Sequence, residues 1–201
     1  MQATAILSAE HRIIEQVIAA LDAAAGRLET GERLRTGFFA DATRFLRDFA
    51  DGYHHGKEEG VLFEALAERG MPLDDGPVGV MVYEHGRARD ITAKLGAAAE
   101  RLAAGAPAAA VDVAHYARQY GELLVNHIYK EDNILFAMAA RVLDDVAVDE
   151  VLDGFARVEA AQAGRGSKAD LVALARALCA EMGVDESTPA RREAALPCHA
   201  R

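Results

Sequence analysis

The segments HHGKEEGVLF (residues 54–63) and HIYKEDNILF (residues 127–136) decide the fold of this 201-residue chain. At an offset of 73 they pair Lys57 with Lys130, Glu58 with Glu131, Leu62 with Leu135 and Phe63 with Phe136, and His54 falls on His127. Each thus carries a histidine four residues before a glutamate. On a helix such residues share one face, with β-carbons about 5–6 Å apart, so each HxxxE pair can grip a metal ion. One such pair alone means little, because helices are rich in glutamate and these pairs often lie in solvent. Repetition changes the weight. Glu10-His11 recurs as Glu84-His85 at an offset of 74. The chain reads as two copies of a helix pair, each supplying one lone histidine and one HxxxE.

Outward from these segments, turn clusters punctuate long helical patterns. ETGERLRTG separates a first helix, roughly 3–29, from a second, roughly 37–69. RGMPLDDGP opens a third near 77, with Pro77 in the first turn, and AGAP precedes a fourth at about 107–143. Short links between long helices force antiparallel neighbours, so the expected fold is all-α: an antiparallel up-down four-helix bundle over residues 1–145. Two shorter amphipathic segments, near 147–162 and 167–182, make a helical extension over 146–183 packed on the bundle as a cap or self-association surface, and 184–201 reads as a flexible tail.

Composition narrows the function. A formal charge of −10 argues against nucleic acid and anionic membrane. The two cysteines, Cys179 and Cys198, are late and far apart, so neither a disulfide framework nor a thiolate metal site is expected. No secretory leader is read at the N-terminus, and no apolar run approaches the ~18 residues that span a bilayer. The expected location is the cytoplasm.

The repeat also chooses among the histidines. His54 and Glu58 have counterparts in the second half and are expected to face inward. His55 aligns with Ile128; with Glu59 it sits about 100° round the helix, at the bundle's edge or beside the ligands. His11 and His85 extend apolar stripes, where polar groups normally pair or bind metal. His115 and His199 read as solvent histidines. Four imidazoles and two carboxylates without thiolate suit iron, manganese or zinc. Six ligands are too many for one open ion, and match two ions bridged by the glutamates.

Together, EHRIIE, HHGKEEGVLF, GPVGVMVYEHGRAR and HIYKEDNILFAMA resemble the bacterial hemerythrin-like, or HHE cation-binding, family over about residues 5–143. The resemblance implies a non-haem, carboxylate-bridged di-iron centre held by His11, His54, Glu58, His85, His127 and Glu131, with manganese or a mixed pair fitting the same donors. It implies dioxygen, peroxide or nitric oxide as the small ligand. Oxygen carriers of the family have a further histidine one turn after the third-helix ligand, where this chain has Arg89. That departure points away from reversible oxygen carriage and towards an open position on one iron. Glu15, four residues after His11, either fills a ligand place or is a salt-bridging surface glutamate.

Other features stay open at this level. Gly52, Gly56 and Gly60 form a stripe that allows either close helix packing or a substrate gap beside His54. Tyr120 is either a core tyrosine or a hydrogen-bond donor to a bound oxygen species. Two functional classes remain: an oxidoreductase consuming dioxygen or peroxide, with a small organic substrate and an unidentified electron donor, or a non-catalytic module that senses or stores dioxygen, nitric oxide or iron. A homodimer is compatible with both.

Overall fold

In the computed structural model, which describes residues 1–162, 164 and 166–185, the chain forms six helices. Helix α1 is Gln2–Glu29. Helix α2 begins as Phe38–Phe45, continues through π-helical turns at Leu46–His55 and Glu58–Leu62, and ends as Phe63–Ala67. Helix α3 is Gly76–Ala103; α4 runs Ala109–Lys130, then a π-helical turn at Glu131–Leu135, then Phe136–Val142. Helices α5, Asp145–Gln162, and α6, Lys168–Met182, follow. The turn chemistry is local: Asp75 caps α3 through the Gly76 N–H ahead of Pro77, and Gly70 and Gly105 take φ of 88° and 90° that a side chain would resist. Cys198, His199 and all but the first two residues of the expected tail lie outside the described residues.

Contacts give the directions of the long helices. Glu10 near the start of α1 meets Lys57 late in α2; Thr43 of α2 lies against Gly96 of α3; Arg101 and Asp112 pair across α3 and α4; Gly26 of α1 approaches Arg118 of α4. Two apolar clusters fill the interior. One contains Ile14, Tyr53, Ala88 and Ile128, the other Leu7, Leu62, Met81 and Leu135. On every long helix the histidine and glutamate positions fall between the members of these two clusters, so a polar layer is enclosed by apolar ones.

Helices α5 and α6 close one flank. Val158 of α5 lies where a Cβ on Gly56 would be 3.4 Å from its methyl, and Gln162 stands 3.2 Å from a Cβ on Gly52. The glycine stripe serves close helix packing at these two positions, and α5 occupies the gap expected beside His54. Leu171, Ala175 and Leu178 of α6 join the same core cluster as α1.

Candidate metal centre

Seven side chains converge in the polar layer, one more than the repeat predicts. His11, His54, Glu58 and Glu131 form one group, and His55, Glu58, His85 and His127 another, with ligand atoms in each group all within 4.8 Å of one another. All seven residues are at most 1% exposed. Glu58 belongs to both groups: its Oε1 is 3.4 Å from His54 Nε2 and its Oε2 is 3.4 Å from His85 Nε2. Glu131 Oε2 lies 3.1 Å from His11 Nε2 and 3.3 Å from His127 Nε2.

Of the two places open to His55, the edge or beside the ligands, the structure gives the inner one. The residue is buried, its ring stacked on His85 with centroids 3.8 Å apart. The expected 100° separation from His54 assumes an α-helix throughout. The π-helical turns bond to the fifth residue instead of the fourth, so each residue rotates less, and adjacent histidines can both face inward. Such turns cluster at functional sites for this reason. Glu59 does not follow His55 inward: it takes the His85 Nδ1 hydrogen at 2.7 Å and pairs with Arg89. Glu15 pairs with Arg12 at 3.1 Å and belongs to neither group. Tyr120 is buried two turns before His127.

The Nδ1 atoms turn outward to carboxylates, and these partners repeat too. His54 meets Glu10 at 3.1 Å and His127 meets Glu84 at 2.9 Å; His11 meets Asp132 at 2.9 Å and His85 meets Glu59 at 2.7 Å. Glu10 and Glu84 are equivalent in the repeat, as are Glu59 and Asp132. Lys57 and Lys130 bind the same two glutamates. The Glu10/Glu84 and Lys57/Lys130 matches are visible in the repeat, whereas the Glu59/Asp132 match was not drawn from it; the available signal is an acidic residue kept at the same place in both halves. His55 has its own holder, Asp51, at 3.3 Å. Fixing Nδ1 in this way leaves every Nε2 directed into the cluster.

Electrostatics fit a site made for cations. Burial, together with the charge of Glu131, pushes the Glu58 carboxyl well above its ordinary range. Burial also opposes ionisation of Glu131, but His127 and His11 more than offset it and hold that carboxyl down. His54 is pulled to about 3 by burial despite its bond to Glu10, whereas His127, equally buried, is raised to about 9 by Glu131 and Glu84. Within the cluster His55 Nε2, both oxygens of Glu58 and Glu131 Oε1 have no hydrogen-bond partner. Buried polar atoms rarely go unpaired, and a metal pair satisfies all four. The donor set, imidazole and carboxylate without sulfur, suits iron, manganese or zinc.

The family model described as the hemerythrin HHE cation binding domain matches residues 2–139. The chain belongs to the hemerythrin HHE family. No curated protein and no solved structure matches it. Membership in this cation-binding family agrees with the clustered histidines and glutamates, and the match ends before α5. Among the described residues no helix is long and apolar enough to cross a membrane.

Proposed function

We propose that this hemerythrin-family chain is a non-haem di-iron oxidoreductase that consumes hydrogen peroxide or dioxygen. In this reading residues 1–145 are an antiparallel up-down four-helix bundle and 146–183 an extension packed on it. His11 and His54 hold one iron; His55, His85 and His127 hold the other; Glu58 and Glu131 are shared. The iron pair supplies redox chemistry towards the oxygen species. The chain's own groups do the rest. Glu10, Glu84, Asp132, Glu59 and Asp51 hold the rings in one tautomer, and the apolar layers on either side keep bulk water from the cluster. Arg89, where oxygen carriers have a histidine, ties Asp51 and Glu59 together at 2.7 Å each, so it supports two ligands at once.

The observation that carries the oxidoreductase reading is access. A groove of about 450 Å³ between α2 and α3 has His55 in its lining. A centre that only took up a diatomic gas would need no approach of that size, whereas an organic reductant or substrate would.

One observation favours the second class. The fifth imidazole judged missing at Arg89 is supplied by His55, so a shortfall of histidine no longer argues against a module that binds dioxygen or nitric oxide without turnover. Stopped-flow absorbance separates the two. The reduced, iron-loaded protein is mixed with dioxygen, then deoxygenated; the oxidised protein is mixed with peroxide. The oxidoreductase reading expects oxidation that deoxygenation does not reverse, and consumption of peroxide. A full return to the starting spectrum with peroxide untouched would establish the binding module instead. Metal analysis of the same sample distinguishes iron from manganese or a mixed pair.

A further inference from the structure

We infer that the groove between α2 and α3 binds a small, uncharged hydroxylated aromatic of the hydroquinone class, held by Asp51 and Tyr120 beside His55. The inference takes its redox chemistry from the proposed peroxide reduction, but the binding itself does not depend on it.

The repeat provides an internal comparison. Thr92 and Gly96 of α3, which line the groove, have Ile18 and Asp22 of α1 as counterparts, and these line a cleft of only about 190 Å³ against Gly121 and Val125 of α4. In that half Leu124 and Ile128 stand at the positions of Asp51 and His55. The small cleft therefore meets no ligand group, and the large groove does. The two halves differ at the residues that would bring a molecule to the centre.

The lining selects the class. Leu46, Ala88, Ala93, Gly96 and Ala97 make apolar or small walls, and about 450 Å³ lies in the range of small-molecule sites. The unengaged polar atoms are acceptors or hydroxyl. Asp51 Oδ1 takes both the His55 and Arg89 hydrogens, at 3.3 and 2.7 Å, and its Oδ2 takes none among the described residues. Tyr120, 1% exposed, lines the groove with a hydroxyl that meets no protein partner among the described residues. Burial and the charge of Asp51 keep that hydroxyl protonated. At the other end stands the exposed carboxylate of Glu100. Arg47 and Arg89 are engaged by Asp48, Asp51 and Glu59. Such a groove disfavours anions and favours an apolar ring that donates hydrogen bonds. A hydroquinone has those donors; the quinone it becomes has none. Oxidation balances with peroxide: the hydroquinone yields two electrons and two protons, the O–O bond breaks, and one quinone and two waters result. The product loses its hydrogen bond to the Asp51 carboxylate, is held more weakly and leaves.

The test is a ligand-observed NMR titration of the full-length, metal-loaded protein, without peroxide or oxygen, using hydroquinone and 1,4-dimethoxybenzene. The second probe keeps the ring and lacks the donors. We expect hydroquinone to bind about tenfold tighter. Ala93→Trp, on an exposed wall of the groove, should weaken hydroquinone binding by about tenfold or more at unchanged metal content, and Ala97→Trp repeats the test one turn along if the first variant does not fold. Equal affinity for both probes, or wild-type binding in the folded variant, overturns the site. Hydroquinone binding without any peroxide consumption leaves the site standing and removes the peroxidase reading. Hydroquinone-dependent peroxide consumption at the wild-type rate in Ala93→Trp does the reverse.

Discussion

Lys57 and Lys130 occupy equivalent places in the repeat and live in different media. Each pairs with the glutamate that holds a histidine Nδ1, Glu10 for His54 and Glu84 for His127. The Lys57 side chain is 0% exposed, because Glu159 of α5 and Lys168 of α6 close over it; that of Lys130 is 32% exposed. The same local device is thus a buried Lys57–Glu10 pair roofed by partly exposed Glu159 and Lys168 on one flank and a partly solvated ion pair on the other. The difference teaches that the ligand pattern is set by the repeat, whereas the surroundings of each ligand are set by what packs outside it.

The largest expected effect tests where the halves differ most, at His55 and Ile128. His54→Ala and His55→Ala should each lose metal, with His55→Ala emptying the group that includes His85 and His127 while the His11 group keeps its ion. Inductively coupled plasma analysis of the purified variants reads this directly. Full metal content in His55→Ala would return the residue to a packing role.

Next come the lysines. Lys57→Ala removes the buried cation between Glu10 and Glu159 and leaves both carboxylates to Lys168 alone, and should cost about 2 kcal/mol, the scale of a lost hydrogen bond between charged groups. Lys130→Ala should cost under about 1 kcal/mol, because water already screens that pair. Urea unfolding of both variants in the metal-free form gives the comparison, and equal losses would mean that α5 and α6 do not isolate Lys57 from solvent.

The histidines on the two flanks should titrate differently. With its value near 3, His54 is neutral at pH 7; with its value near 9, His127 is protonated there in the metal-free protein. A raised histidine stabilises the fold below its unfolded value of about 6.5 and loses that contribution as pH rises through about 9. Metal-free stability should therefore fall between about pH 6.5 and 9, while metal affinity rises across the same window as the proton on His127 ceases to compete. Calorimetry in buffers of different ionisation enthalpy would report the released protons. A metal affinity flat across that window would contradict the assignment.

The smallest effect probes the closed flank alone. A methyl at Gly154 of α5 would overlap Val61, so Gly154→Ala should destabilise by about 1–2 kcal/mol. Gly56→Ala meets Val158 at an ordinary 3.4 Å and should be neutral or stabilising by up to about 1 kcal/mol. In the other half the equivalent of Gly56 is Tyr129, 47% exposed. Thermal melts that rank Gly56→Ala below Gly154→Ala would show the contact at Gly56 to be the tighter one.

Much of this was legible in the sequence, and the failures have one source. Helix limits follow from Gly, Pro and capping residues, which act within a few positions, so Pro77 and Gly105 mark their boundaries without tertiary knowledge. His11, His54, Glu58, His85, His127 and Glu131 were readable because two copies of one pattern are compared within a single chain. The place of His55 stayed open between the edge and the ligands because its direction depends on the winding of α2, and an angle taken from an ideal helix cannot anticipate π-helical turns. The burial of Lys57 and the filling of the gap by Val158 depend on a helix about a hundred residues later, which no local pattern announces.

Glu159 has a consequence for how this chain can change. It stands outside the residues that match the family, yet through Lys57 and Glu10 it touches the holder of His54. A segment added to a domain is ordinarily free to drift, be trimmed or be exchanged between relatives. Here the two have become linked: buried Lys57 shares its charge between Glu10 and the carboxylate that α5 brings over it. Transplanting residues 2–139 into another protein would carry the ligands and leave behind a condition of their order, and substitutions at Glu159 and Lys57 are expected to be accepted together or not at all.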